Sequence, residues 1–415
     1  MDVFIPILVL IGAGLLATSR PAYRLRRSRP ATVLVAGGWV SVLVGVVLGP
    51  SVTGLIDRES IFNAVPLLAL GLGWIGMLVG LQFRWSLLRS LPRAVWLIAA
   101  ADFLVSAAVF GTLGYALLSR WLPEPSPALL TIPLVFLVAG SLGWSVETRS
   151  LGAHFDRRPI VLVRAAGALA GGLAILAFGV ATKLVSVDAL GALSLTPDRA
   201  ALKLLHSVLL ALAIGFVGRG MIRLAGSSQG HQFTVFLGLV AFIAGSANQL
   251  DCSPLITAMC TGAVIANIRS QGIQQFEAFI FRAEHTFAIL FGLLTGLLLE
   301  PVTTPLLLLG ALAFVAARIV FKPLVMGFGF RSVRPEWALD RHAGMLPLLR
   351  IGACRQAPLM LALGVSLVLV EPSTFHKELL GLLVLVGIAS ELMPAIFAWR
   401  AHIKPDDPAD EERPA

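Results

Sequence analysis

Thirteen apolar stretches follow one another along the chain, at approximately 2–18, 31–49, 61–81, 94–118, 128–147, 159–182, 200–222, 232–249, 254–268, 284–300, 302–327, 344–370 and 378–400. Most have the length that a hydrocarbon core of about 30 Å demands of a helix. Inside such a core the backbone N–H and C=O groups find partners only within the protein, which leaves the α-helix as the economical solution for a chain patterned this way. The predicted fold class is therefore an all-α polytopic membrane protein with about thirteen transmembrane helices. Composition agrees: 57% of the residues are hydrophobic and 13% charged, against about 25% charged in ordinary soluble domains. Residues 1–402 read as one transmembrane domain, and 403–415 as a short disordered tail that is Pro-rich and acidic. Asp2 puts no basic region ahead of the first span, and the cluster Arg20–Arg29 follows it. The first span is accordingly read as a retained helix rather than a cleaved leader.

A net charge of +9 in a soluble protein would raise the question of nucleic acid, but here the basic residues sit in short loops and report topology. With the N-terminus outside and loops assigned alternately, 21 Lys and Arg fall on the inner side and six on the outer. That bias predicts a multi-pass protein of the bacterial inner (cytoplasmic) membrane, N-terminus outside and C-terminus cytoplasmic. Five basic residues are left within spans: Arg164, Arg318, Lys322, Arg350 and Arg355. Charge at membrane depth is costly and faces a partner or a water-filled cavity.

Two spans are interrupted. Ile132–Gly152 (IPLVFLVAGSLGWSVETRSLG) begins apolar and then runs through Gly140, Ser141 and Gly143 to Glu147 and Arg149. Met345–Gly364 (MLPLLRIGACRQAPLMLALG) is apolar at both ends, with Gly352 between Arg350 and Arg355. These are the fifth and twelfth spans. If the seventh is a linker helix (200–224), the other twelve form two six-helix halves, 1–184 and 232–402, that enter the membrane from opposite sides. The broken spans then become symmetry mates, the arrangement of transporters with inverted repeats and a midplane site.

Several motifs, in order, carry a resemblance. LVGVVLGPSVTGLID (Leu43–Asp57) is similar to a helix with an LGPSxxGLI exit, and Gly76–Val109 to the hairpin after it. SPLITAMCTGAVIANI (Ser253–Ile268) is similar to a small-residue helix ending in LAN. EHTFAILFGLLTGLLLE (Glu284–Glu300), RIVFKPL (Arg318–Leu324) and ELMP (Glu391–Pro394) continue the series. Together they resemble the membrane domain of the monovalent cation:proton antiporter superfamily, the sodium or potassium/proton exchangers. The resemblance implies a homodimer with a dimer panel and a core bundle, spans five and twelve crossing near the membrane centre, and alternating access. It also implies a transport carboxylate on the sixth span. The matching stretch Val161–Leu176 has no acid, and its one charge is Arg164. Gln82 and Phe83 likewise stand where the family commonly has an acid.

Exchange needs a carboxylate that holds either a proton or a cation, because competition for one group couples the two flows. Glu147, at the break, is the leading substitute, set against an interfacial salt bridge with Arg149. Glu391, inside the last span, is read as a buried partner of Arg164 or Arg355, or as a transport group. Asp102 in the fourth span is read as polar packing, with transport as the lesser reading. Arg318 and Lys322 lie at i and i+4 on one helical face; the resemblance implies a charge-neutralising base here, and Lys322 matches it best. Arg350 and Arg355 either compensate carbonyls at the broken helix or, with Arg164, form an anion site.

The remaining motifs are structural. Gly71, Gly73 and Gly76 spell GxGxxG inside a span with no strand before it, a helix-packing pattern. Gly45/Gly49 and Gly76/Gly80 are GxxxG pairs expected in the dimer panel. Cys252, Cys260 and Cys354 read as small apolar residues, His206 and His285 as interface residues, and nothing has the spacing of a metal, phosphate or nucleophile site. No enzyme and no cofactor is expected. The expected partners are the lipid bilayer, protons and sodium or potassium, with no nucleic acid. The sequence predicts a cation/proton exchanger, with a transport-deficient membrane subunit or sensor and an anion transporter as alternatives.

Overall fold

Helix after helix is what an apolar chain deprived of water must form, and the computed structural model of this protein is built that way. It describes residues 12, 39–56, 61, 65–118, 157–187, 193–226, 228–268, 273–300, 308–318, 320, 321, 324, 357–370 and 377–389. In order these are α1 (Trp39–Leu48), α2 (Val65–Leu81), the short α3 (Trp85–Ser90) and α4 (Arg93–Ser106). A π-helical turn (Ala107–Gly111) leads from α4 into α5 (Thr112–Leu118). Then come α6 (Arg157–Leu184), an antiparallel hairpin of β1 (Val185–Val187) and β2 (Leu193–Leu195), α7 (Pro197–Ala225) and α8 (Gln229–Gln249). The series ends with α9 (Pro254–Asn267), α10 (Ile273–Leu298), α11 (Leu308–Arg318), α12 (Ala357–Val370) and α13 (377–389). Apart from the hairpin of three-residue strands, the described fold is helical. Four of its helical stretches, Val95–Ala116, Ala165–Lys183, Pro197–Ala225 and Gly230–Gln249, are by themselves long and apolar enough to cross a bilayer.

Helix ends follow local chemistry. Pro197 and Pro254 open α7 and α9, where a missing N–H costs nothing. Asp198 in the first turn of α7 and Arg223 in its last suit the helix dipole. α10 begins at Ile273, eleven residues before the 284 read from hydropathy. That extension is amphipathic, burying Phe276, Glu277 and Ile280.

The core is organised by close backbone approach. α1 packs on α10, and α2 on α9. A Cβ at Gly45 would strike the Leu293 carbonyl and come within 2.9 Å of the Gly296 Cα, and one at Gly296 would strike the Val42 carbonyl. In the α2–α9 seam a Cβ at Gly80 would run into the Met259 carbonyl, and one at Gly262 would lie 2.6 Å from the Met77 carbonyl. Only glycine allows helices this close, and in lipid that contact substitutes for the hydrophobic drive. The GxxxG glycines expected in a dimer panel thus face other helices of the same chain, because small residues are as useful within a subunit as between two. The GxGxxG run is a packing motif as expected, with Gly71 against the Phe291 ring and Gly73 within 3.0 Å of Val240. α7 instead exposes Leu202, Leu205, Leu209, Phe216, Val217 and Leu224, a surface suited to lipid.

Polar ties join loops at two opposite ends of the helices. At one end Arg84 pairs with Glu277, its Nε donating to Oε1 at 3.2 Å. There the Asn267 amide donates to the Phe83 carbonyl at 2.6 Å and accepts from the Trp85 N–H at 2.5 Å. At the other, Lys377 pairs with Glu300 at 2.9 Å, Ser51 Oγ donates to the Leu299 carbonyl at 3.0 Å, and Lys183 and Lys203 flank Asp251. Each of these ties links described loops that hydropathy assigns to one side.

Candidate functional site

Most residues singled out from the sequence, Gly140, Ser141, Gly143, Glu147, Arg149, Lys322, Arg350, Gly352, Arg355 and Glu391, lie outside the described residues. Arg164 falls within α6, seven residues after Arg157.

Among the described residues, two wholly buried charges stand out at the level of the spans: Asp102 (1% exposed) and Arg318 (0%). Asp102 belongs to a helical stripe on α4 made of Val95, Ile98, Ala99, Asp102 and Ser106, all buried. The i, i+3, i+4, i+7 spacing puts them on one face. Val95, Ile98 and Ala99 pack against Ala166, Leu169 and Ala170 of α6, so α4 turns this face toward the helix from which the resemblance leads one to expect an acid.

Just past Ser106 the helix takes its π turn. A π turn inserts one residue into the ladder and re-aims the side chains beyond it, and such turns concentrate at functional sites. The Thr112 hydroxyl donates to the Ala108 carbonyl and, at 3.1 Å, to that of Val109. The turn also buries Phe110, whose ring meets Phe314 of α11 with centroids 4.8 Å apart and planes inclined by 47°. Arg318 is one helical turn beyond Phe314 and therefore on the same face.

The sequence alone favours Lys322 over Arg318 and gives Asp102 mainly to packing. The usable signal is periodicity: Asp102 continues the Val95–Ile98–Ala99 stripe, and Arg318 follows Phe314 by four.

Glu277 is 8% exposed by side chain, and its partner Arg84 38%, so this pair sits at the rim. Outside the spans, Lys183 Nζ donates to Asp251 Oδ1 at 2.7 Å, and Lys203 Nζ lies 3.3 Å from Oδ2. Partial burial pushes the Asp251 carboxyl up, but the hydrogen bond and charge of Lys183, then those of Lys203, outweigh it and hold the group below the usual carboxylate range. Asp251 also adopts a left-handed backbone, φ 52°, which Asp tolerates better than most residues. No group of metal-ligating side chains occurs among the described residues.

Apolar helices joined by glycine seams, tied at both ends by polar contacts and enclosing buried charge at mid-span, define an integral multi-pass membrane protein of the transporter class. The chain belongs to the sodium/hydrogen exchanger family, whose transmembrane domain matches residues 15–389. Its fold is similar to that of the sodium proton antiporter MjNhaP1 from Methanocaldococcus jannaschii, solved at pH 8, with a TM-score of 0.61 and 15% sequence identity over 96% of this chain and 99% of that one. No curated protein matches the chain by sequence.

Proposed function

We propose that the protein is a secondary transporter of the bacterial cytoplasmic membrane that exchanges sodium or potassium for protons by alternating access. The family match over residues 15–389 carries this reading, and the antiporter-like fold supports it. The reciprocal seams support the inverted repeat. The second span (α1) lies on the tenth (α10), and the third (α2) on the ninth (α9), as two halves related by a two-fold axis in the membrane plane require. In this reading α7 links the repeats, the broken fifth and twelfth spans cross at the centre, and the protein works as a homodimer. Glu147, Arg149, Arg164, Lys322, Arg350, Arg355 and Glu391 are the charges proposed to line the crossing, with Gly140, Ser141, Gly143 and Gly352 at the breaks.

The test is reconstitution into proteoliposomes containing a pH-sensitive dye. Sodium or potassium added outside should release protons between about pH 6 and 9, the range in which groups with shifted pKa values titrate. Silence with both cations across that range rejects exchange.

A further inference from the structure

Resting on the exchange reading, we infer that Asp102 is the carboxylate that alternately holds the proton and the transported monovalent cation, in place of the acid missing from α6.

Four observations carry the assignment. The first is depth. Asp102 is nine residues past Arg93 on a continuous helix, about 14 Å along its axis at 1.5 Å per residue, which is near the middle of a core about 30 Å thick. At 1% exposure it is a polar group of the kind that marks ion pathways in membrane proteins.

The second is its neighbour. The helices α4 and α6 are separated by one span and so run in the same direction. One turn beyond the Val95–Ala99 contact on α4 is therefore level with one turn beyond Ala166–Ala170 on α6. There α6 has Ala174, fully buried, and the stretch Val161–Leu176 carries no carboxylate. The acid absent from α6 is replaced by one on the helix that packs against it.

The third is oxygen. Ser106, also 1% exposed, lies one turn from Asp102 on the same face, and the π turn begins at the next residue. Carboxylate and hydroxyl oxygens are the donors that hard monovalent cations prefer.

The fourth is counter-charge. α4 and α11 belong to the fourth and eleventh spans, an odd number apart, so the two run antiparallel past the Phe110–Phe314 contact. From that contact Asp102 lies about 12 Å back along α4 and Arg318 about 6 Å forward along α11, both toward the same membrane face. In sequence, Arg164 falls on α6 in this half of the span. Among these charges Asp102 is the carboxylate, and the others are guanidinium groups. Binding a proton or a cation removes one negative charge in either case, which is the condition for exchange at a single group.

The experiment uses the full chain in proteoliposomes, wild type first. No exchange by the wild type rejects the exchange reading and this assignment with it. Given wild-type exchange, D102N should lower the rate about tenfold or more at every pH, and D102E should exchange with a shifted apparent KM for the cation and a shifted pH midpoint. Thermal stabilisation by sodium or potassium should disappear in D102N. D102N exchanging at the wild-type rate overturns the assignment. If D102N does not yield monodisperse protein, D102E decides: an unchanged KM and pH midpoint reduce Asp102 to a structural residue.

Discussion

The Lys183 ammonium donates to the Asp251 carboxylate at 2.7 Å across 68 residues of chain, fastening the end of α6 to the turn between α8 and α9. Lys203 Nζ donates to the Leu250 carbonyl at 2.9 Å and reaches the second Asp251 oxygen, so the start of α7 joins the same knot. The knot is exposed, with the Asp251 side chain 69% accessible, and its contribution is at most about 1 kcal/mol.

The sign of its pH dependence follows from the lowered Asp251 pKa. The unfolded chain holds this proton more tightly than the folded one. The stabilisation is therefore fully present above the ordinary carboxylate value of 3.8 and is lost as pH falls through the lower folded value. Asp251→Asn keeps the shape and tolerates φ > 0, so it isolates the charge. The Tm difference between wild type and D251N should be constant from about pH 5 to 7 and shrink toward zero in stronger acid. A difference that grows on acidification contradicts the ion-pair account.

Gly80 and Gly238 are both helical, yet they should respond oppositely to a side chain. A Cβ at Gly80 would run into the Met259 carbonyl, whereas at Gly238 nothing lies within 4 Å. Gly80→Val must separate α2 from α9 or distort both, at a cost of about 3 kcal/mol or more. Gly238→Ala should be neutral or stabilising by up to about 1 kcal/mol, the difference in helix propensity. Thermal unfolding in detergent with tryptophan fluorescence measures both.

Helix existence is legible because hydrocarbon leaves the backbone one choice, and α6, α8 and α9 begin and end within a few residues of where hydropathy alone places them. Features that depend on tertiary partners are not legible in the same way. The early start of α10 places Glu277 where Arg84, 193 residues away, pairs with it. The π turn at Ala107–Gly111 has no composition signal, and the GxxxG glycines look the same whether their partner is a second subunit or Gly296. The candidate site shows the same division. Asp102 and Arg318 are visible as charges in spans, but full burial of both and the Phe110–Phe314 contact that relates their helices require the fold.

The Arg84–Glu277 pair predicts an asymmetry. Glu277 is the buried member and Arg84 the exposed one. Arg84→Ala leaves a buried carboxylate without that partner and should cost about 1–3 kcal/mol. Glu277→Gln leaves an arginine that water can solvate and should cost less than about 1 kcal/mol. Chemical or thermal unfolding of the two variants should separate them in that order, and equal losses would place Glu277 in a wetter setting than its burial indicates.

The two sets of polar ties make sidedness testable without a transport assay. Thr53 and Asp251 sit at the end fastened by Lys183 and Lys377, Ser90 and His231 at the opposite end, and all four are exposed. The inner-side excess of Lys and Arg predicts that Ser90 and His231 face the cytoplasm. With Cys252, Cys260 and Cys354 replaced by Ala, single cysteines at Thr53 and Asp251 should react with a membrane-impermeant maleimide on intact cells. Cysteines at Ser90 and His231 should react only after permeabilisation. Reaction of Thr53→Cys and Ser90→Cys from one side would break the alternation of spans on which the inverted repeat depends. Full reversal of the pattern would keep the fold and invert its orientation, so that the face toward which Asp102 and Arg318 lie from the Phe110–Phe314 contact would be the outer one.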